Sequence, residues 1–407
     1  MQGITVKVAG LLAVFAIGCR GAGSNSGNGS QSTTAAADAG TVAEQDAGTA
    51  ADAGTVTSTD PDGGTDAGTA QNPPAAVPGD ECAGLMPAAT APIVAQLPHT
   101  ECLDGHVDGQ GNVLLGSLSD DGPSAFPEYL FFDVSSGQAT QLAGHVIGGD
   151  ESFLDILGRT SGFAATDQFG VTGRLSLQSY GHDGTPGPVT VLDQGAFGAQ
   201  QPKVSSVIDP AGGTALLVSV ADSTGTYSTT YQRFDNAGVQ AIAPVAVSLF
   251  GAMGFSSAGH ILVVTPAGTA QWLDRDGNHL TQPFGPFTGT GTPPIAAQAD
   301  GSVAVLFSPG AFRLEDLGTT PAPLPDAIAA RAGQSLYAIR AGKAYASWAA
   351  SAACVEVLAT SGKSCGCVDV PGLSSESSVG LDGSLIVPLP PAPPVKCQFH
   401  LYPALLK

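Results

Sequence analysis

The chain reads as an all-β fold, and three observations carry that reading. Glycine-punctuated runs of β-branched and aliphatic residues return along the C-terminal four-fifths of the 407 residues. Gly (55) and Pro (30) are abundant while charged residues make up only 12%, which suits a turn-dense sheet protein better than a helical one. After the N-terminus, no long stretch shows the 3.6-residue periodicity of an amphipathic helix.

The repeat is clearest at Ser256–Leu280, SSAGHILVVTPAGTAQWLDRDGNHL, and has two marks. The first is a small or acidic residue, a Gly and a short polar residue ahead of an aliphatic run. It occurs at Asp108–Asn112 before VLLG, Asp209–Thr214 before ALLVSV, Ala258–His260 before ILVV, Asp300–Ser302 before VAVLF and Asp382–Ser384 before LIV. Weaker copies are Ser161-Gly162 before FAA and Ala332-Gly333-Gln334 before SLYAI. Gly supplies the positive φ that tight hairpin turns require. The second mark is a strand running into an acidic or polar turn closed by Gly. Its copies are Phe131–Gln138, Leu177–Thr185, Tyr231–Val239, Gln271–His279, Phe312–Thr319 and Val355–Lys363. An Asp or Asn ahead of the Gly can accept hydrogen bonds from its own turn.

Two hairpins per unit make a four-stranded sheet, and the first marks recur at about 32–51 residues, the spacing of β-propeller blades. One such sheet cannot bury both faces; sheets packed radially can, with few edges exposed. The expectation is therefore a propeller of about seven four-stranded blades, in preference to a string of sandwiches. Six units are complete. The seventh has a hairpin near Leu381–Val387 and one more strand, Lys396–Leu401, so it lacks a fourth strand. Ala91–Leu97 precedes the first blade and is expected to supply it, closing the ring between the two ends of the chain.

The N-terminus is of other material. Met1–Ile17 carries Lys7 and then the apolar run Val8–Ile17, the build of a signal peptide and too short for a stable membrane span. It ends in Ala16-Ile17-Gly18-Cys19, which resembles the lipobox of bacterial lipoproteins, with Ala16 where that family more often has Leu. The resemblance implies cleavage before Cys19, leaving residues 1–18 as the leader. It also implies acylation of the Cys19 thiol and amine with fatty acyl groups such as palmitate, a lasting membrane anchor. Arg20 after the Cys points, by the same analogy, to the outer membrane. Residues 19–81 are rich in Gly, Ala, Ser, Thr and Asp, with Asp-Ala-Gly at Asp38, Asp46, Asp52 and Asp66. Such a segment cannot bury enough apolar surface to order itself, and is expected to be a disordered tether averaging about 40–45 Å end to end. Residues 82–407 form the propeller domain.

Six cysteines remain after Cys19: Cys82, Cys102, Cys354, Cys365, Cys367 and Cys397. An even number in an exported chain predicts disulfides. Cys354 is expected to pair with Cys365 or Cys367 across one hairpin, with Cys397 taking the other and Cys82 joined to Cys102. A rival pairing links Cys82 or Cys102 to Cys397 as a clasp on ring closure.

Motifs of chemistry are scarce. G-x-S-x-G, H-E-x-x-H and the P-loop are absent, and the seven His (His99, His106, His145, His182, His260, His279, His400) form no close pair and fall mostly in or near turns. Asp274–Asn278 falls short of a calcium loop and reads as a turn. Asp120-Asp121, and Asp150-Glu151 with Asp155, read as acidic loops. Pro388–Pro394 reads as a polyproline II loop in the last blade. No catalytic, cofactor or metal residue is expected. The net charge of −21 repels phosphate backbones, so nucleic acid is not an expected partner. The expectation is a lipid-anchored cell-envelope protein presenting a propeller as a non-enzymatic binding or scaffolding module for an envelope protein or glycan. Two alternatives are a propeller hydrolase or lyase acting on envelope glycans or peptides, favoured by carboxylates converging at the channel, and an outer-membrane assembly factor, similar in layout to the propeller lipoprotein of outer-membrane barrel assembly.

Overall fold

The computed structural model describes residues 80–88, 90–97, 101–119, 126–146, 151–169, 173–194, 201–289, 291–307, 310–331, 334–350, 352–389 and 397–407. The expected leader and lipobox, and residues 19–79 of the expected tether, lie outside these residues. So do His99, Asp120-Asp121, Asp150 and most of the Pro388–Pro394 run.

Strand β1 (Ile93–Leu97) comes first and belongs to the last blade. Blade 1 is β2 (Glu101–Val107), β3 (Val113–Ser119), β4 (Phe126–Asp133) and β5 (Thr140–Val146). Blade 2 is β6 (Glu151–Gly158), β7 (Phe163–Phe169), β8 (Arg174–Tyr180) and β9 (Pro186–Gln194). Blade 3 is β10 (Lys203–Ile208), β11 (Thr214–Ala221), β12 (Tyr227–Phe234) and β13 (Val245–Val247). Blade 4 holds β14 (Ala252–Phe255), β15 (Ile261–Val264) and β16 (Ala270–Leu273). Its outermost strand is reduced to the bridges Leu273↔His279 and Ala270↔Phe284, beside Pro283 and Pro286, which have no N–H to give a ladder. Blade 5 is β17 (Ile295–Ala297), β18 (Val303–Val305), β19 (Phe312–Leu314) and β20 (Ala322–Pro323), followed by the four-residue helix α1 (Asp326–Ala329). Blade 6 is β21 (Ser335–Ile339), β22 (Ala344–Trp348), β23 (Cys354–Ala359) and β24 (Ser364–Asp369). Blade 7 is β25 (Ser378–Val379), β26 (Leu385–Leu389) and β27 (Cys397–Tyr402), completed by β1 on the outside.

Seven apolar clusters close the ring, one at each blade interface. Leu114, Tyr129 and Phe131 of blade 1 meet Ile156 and Phe163 of blade 2. Leu175 and Leu177 meet Leu216 and Val218 between blades 2 and 3, and the same pattern continues through blades 3 to 6. Trp348 and Val357 meet Leu385 and Val387 between blades 6 and 7. Phe399 and Ile93 of blade 7 meet Val113 and Phe132 of blade 1. The middle strands are consequently buried on both faces, which is why ILVV and VAV carry no alternation.

The glycine marks fall where the hairpins turn. The Asp209 amide donates to the Gly213 carbonyl, the Gly212 amide donates back to the Asp209 carbonyl, and Gly212 sits at φ +101°. The Asp209 carboxylate also accepts from the Ala211 amide. Asp235 and Asp274 cap their turns in the same way, Asp274 accepting from the Asp276 and Asn278 amides. One mark is displaced. Ala332-Gly333-Gln334 precedes β21, the inner strand of blade 6, and the true first turn of that blade is Arg340–Lys343. There Arg340 and Ala341 both hold positive φ, a conformation that non-glycine residues rarely advertise in sequence.

The entry segment docks on blade 6 before the chain crosses to blade 7. Cys82 is bonded to Cys365 on β24, with Cα atoms 5.3 Å apart, and Lys363 pairs with Asp80 at 2.9 Å. Leu85 and Met86 join the apolar cluster between blades 6 and 7. Cys354 is bonded to Cys367 across the β23–β24 hairpin, and Cys397 is disulfide-bonded as well. The expected Cys82–Cys102 staple is thus replaced by Cys82–Cys365, and Cys397 does not take Cys365. The side chain of Cys102 lies outside the described residues. The reason is spatial: residues 80–86 run along the outer strand of blade 6, which no local spacing announces.

Candidate functional site

The first strands of the seven sheets contact one another in succession around the axis from β25 through β2, β6, β10, β14 and β17 to β21. Those of blades 3, 4, 5 and 7 carry mostly small or apolar residues (KVSSVI, AMGF, IAA, SV). Apart from Lys203 at the start of β10 and Glu101 and Glu151 at the starts of β2 and β6, the titratable groups of these strands are Asp104, His106, Asp155 and Tyr337, on blades 1, 2 and 6.

Two β-bulges place the carboxylates. On β2 the pairing with β3 skips from Cys102 to Asp104, and on β6 the pairing with β7 skips from Phe153 to Asp155. Leu103 and Leu154 are the extra residues, and an Asp follows each. A bulge bends its strand and re-aims the next side chain. Asp155 was expected in an acidic loop; it lies on this inner strand instead, because Glu151–Gly158 pairs along its whole length with β7.

The Asp104 carboxylate lies 2.8 Å from His106 Nε2, and its other oxygen accepts from the Gly105 amide. Both side chains are about one-fifth exposed. The Ser206 hydroxyl of blade 3 donates to Asp155. The Ser378 hydroxyl of blade 7 donates to the Gly105 carbonyl at 2.6 Å. Tyr337 stacks on Trp348 with ring centres 5.1 Å apart, and burial, with Asp104 adding to it, pushes its phenol up to about 12.

Burial also pushes Asp155 up to about 6, against the opposing pull of the Ser206 hydrogen bond and His106. For His106, burial works downward, but Asp104 and Asp155 together more than offset it, so the imidazole lies above its ordinary value. The cluster therefore combines an acid raised out of the carboxylate range with an imidazole that holds its proton more tightly.

The sign of the stability effect follows. Between the unfolded Asp value near pH 4 and about pH 6, the folded chain keeps a proton that the unfolded chain releases, so stability falls as pH rises. His106 adds stability below its unfolded value near 6.5 and loses it as pH rises through the higher folded value. Asp155→Asn is therefore expected to be more stable than the parent at pH 7.5 and no more stable at pH 4. Denaturant titrations at the two pH values measure this. A variant less stable than the parent at pH 7.5 would show that ionised Asp155 is needed by the fold.

Other charges of the propeller, buried or partly so, tie elements together. Asp108 accepts from the amides of Gln110 and Asn112 in its own turn and of Gly162 in blade 2. Arg159 donates to the Asn236 and Tyr180 carbonyls. Arg275 grips Asp209 between blades 4 and 3 with contacts of 2.8 to 3.1 Å, and Arg331 grips Glu356. Asp104 and His106 differ: they are two residues apart on one strand, and their hydrogen bond stays within it, while their charges act on Asp155 and Tyr337 of neighbouring blades.

Several sequence candidates resolve as structural. Asp274–Asn278 is a hairpin turn, and no group of three metal-ligating side chains exists among the described residues. His260 pairs with Asp316 at 2.8 Å and His145 contacts the Gly184 carbonyl at 2.7 Å. His106, His145 and His400 sit on strands and not in turns. Trp272 and Trp348 are buried and donate to the Gly318 and Ser374 carbonyls. No helix among the described residues is long and apolar enough to cross a membrane. Sequence reasoning passed over Asp104. The signal was the shared Leu-Asp of ECLDGHV and SFLDILG, each Asp four residues ahead of the residue that opens its turn, Asp108 or Arg159.

No family model matches the chain, and no curated protein matches it. Among solved structures it is similar to a protein of unknown function from Bacteroides caccae, with 9% identity and TM-score 0.40 over 64% of this chain and 93% of that one. It is also similar to BamB from Moraxella catarrhalis, with 14% identity and TM-score 0.43 over 79% of this chain and 94% of that one.

Proposed function

We propose that the chain is a lipid-anchored protein of the cell envelope, held at the outer membrane through Cys19, whose propeller binds an envelope protein at its axis. The observation that carries the binding site is the Asp104–His106 pair, 2.8 Å apart and partly buried on one inner strand. Holding two ionisable groups away from bulk water costs free energy, and the hydrogen bond between these two stays within one strand. A side chain or loop presented by a partner supplies what the pair is positioned to meet. The acid-and-imidazole pair suits a hydrogen-bonding or cationic group of the partner.

The anchor rests on Ala16–Cys19, and the reach of the propeller on the tether of residues 19–81. Cys19→Ala is expected to move the protein from the membrane fraction to the soluble fraction of a lysed cell. Unchanged sedimentation with membranes would remove the anchor from the proposal. For the site, crosslinking in intact envelopes followed by mass spectrometry is expected to recover a partner with the parent chain and to lose it with Asp104→Asn. Equal recovery by the two would place recognition elsewhere on the propeller.

The raised Asp155 beside His106 favours a second reading, a hydrolase or lyase acting on envelope glycans or peptides, since acid–base catalysis works best with groups titrating near ambient pH. Release of labelled fragments from purified envelopes by the parent and not by Asp155→Asn would select this reading over binding alone.

A further inference from the structure

The two nitrogens of the His106 ring are placed differently, and the difference sets how the axis responds to acid. Nε2 lies 2.8 Å from the Asp104 carboxylate. An ionised carboxylate only accepts, so Nε2 carries a hydrogen in both charge states of the ring. Nδ1 has no hydrogen-bond partner among the described residues and is not shut away from solvent. It is therefore an acceptor in the neutral imidazole and a donor in the imidazolium.

Asp155 is the second group that changes. Its charge and that of His106 act on each other across blades 1 and 2. The hydroxyls nearby are engaged: Ser206 donates to Asp155, Ser378 to the Gly105 carbonyl, and Tyr337, which stays neutral through this range, to the Ser377 carbonyl at 3.5 Å. The charges on adjoining elements are held elsewhere. Asp108 accepts from turn amides, Asp167 accepts from the Tyr129 hydroxyl and Arg159 donates to two carbonyls. The Lys203 ammonium lies 4.5 Å from the centre of the Tyr227 ring. On β27, Tyr402 packs in the cluster with blade 6, and its ring meets that of His400. Glu101 and Glu151 stand at the starts of their strands, and β3, β25 and β26 carry no titratable side chain.

Acid thus acts twice in one direction. As pH falls, His106, whose value is raised above 6.5, gains a positive charge and turns Nδ1 into a donor; through about pH 6, Asp155 then loses its negative charge. An anionic group at the axis is opposed by both carboxylates at high pH. A cationic N–H donor is favoured there, and on acidification it loses its acceptor and meets added positive charge. Building on the reading of the axis as a binding site, we propose that the partner group held there is a lysine ammonium or arginine guanidinium, seated on His106 Nδ1 and released by mild acid.

The probes are butylammonium and methylguanidinium, with butanol and butyrate as neutral and anionic counterparts. They are titrated into the detergent-solubilised full chain at pH 8.5 and pH 5, followed by nitrogen-15 NMR of the histidine rings, with His106→Gln assigning the signal. Both cations are expected to bind in the millimolar range at pH 8.5 and about tenfold more weakly at pH 5, with Nδ1 the bare nitrogen of the neutral ring. Asp155→Asn is expected to bind them more weakly at pH 8.5 and with a smaller pH dependence. The proposal is overturned if neither cation binds at pH 8.5, if affinity is the same at pH 5, if butanol or butyrate binds as tightly, or if Nδ1 carries the proton of the neutral ring. These measurements on the parent decide the matter even if a variant does not fold. Crosslinking in envelopes at the two pH values separates this failure from that of the binding reading. A partner lost with Asp104→Asn but recovered equally at both pH values refutes release by acid and keeps the axial site, whereas equal recovery with Asp104→Asn removes the site and this proposal with it.

Discussion

A chain lacking residues 91–97 is expected to lose cooperative unfolding altogether. β1 pairs with β27 over five residues, Ile93 opposite Leu401 through Leu97 opposite Cys397, and no other strand among the described residues pairs with that edge of blade 7. Its inward side chains, Ile93, Ala95 and Leu97, are 6–8% exposed, while Val94 between them is 46% exposed. Burying an Ile and a Leu contributes about 1.5–3 kcal/mol each, and the ladder adds about 1 kcal/mol per hydrogen bond. Together these approach the 5–15 kcal/mol that typically separates a folded domain from its unfolded state. The loss does not stay local, because Ile93 and Leu97 also pack in the cluster that joins blade 7 to blade 1. Melting followed by circular dichroism and by tryptophan fluorescence checks this: Trp272 in blade 4 and Trp348 in blade 6 lie far along the chain from the deletion. A truncated chain that melts in one sharp transition near the parent's temperature would show that the ring does not depend on its N-terminal strand. Point changes grade the effect: Leu97→Ala is expected to cost about 2–4 kcal/mol, and Val94→Ala much less.

Removing the Cys82–Cys365 bond by the paired change to Ser is expected to lower stability by about 2–5 kcal/mol. The bond spans 283 residues of sequence, nearly the whole propeller, so it restricts the unfolded chain far more than Cys354–Cys367, which spans 13. It also ties the start of the domain to blade 6 while β1 closes blade 7, so ring closure is held at two neighbouring blades. The denaturant midpoint is expected to fall and the slope to rise, because the freed unfolded chain exposes more surface, and the Cys354→Ser/Cys367→Ser pair is expected to change both by less. A larger loss from the short loop than from the long one would refute the account by chain entropy. Lys363 and Asp80 at 2.9 Å lie exposed beside the bond and contribute little by comparison.

Much of the ring was legible in the residues themselves. A Gly after an Asp or Asn between extended runs specifies a tight turn because of its backbone freedom and the side-chain capping, and six of six second marks fell on the turn between the third and fourth strands. The turn of blade 6 was not legible, because Arg340 and Ala341 hold the left-handed conformation without the residues that usually announce it. The short fourth strand of blade 4 was equally hidden, since two hydrogen-bonded bridges need no strand-like run. The candidate site was legible only in part. His106 stood among seven scattered histidines, and Asp155 read as part of an acidic loop, because an alternating inner strand with a bulge looks locally like irregular chain. Only the pairing of Asp155 with Thr166, one residue out of step with Phe153 and Asp167, puts it on the axis.

The sequence alone determined the strand-and-turn grammar, the count of blades and the need for an N-terminal strand in the last one, because those depend on local backbone preference and on a repeat that must bury both of its faces. The tertiary structure alone decided which cysteines meet and which ionisable groups face one another. Those outcomes depend on residues brought together by the circular packing of sheets, such as Cys82 with Cys365 and Asp155 with Ser206, at distances along the chain over which no local pattern carries information.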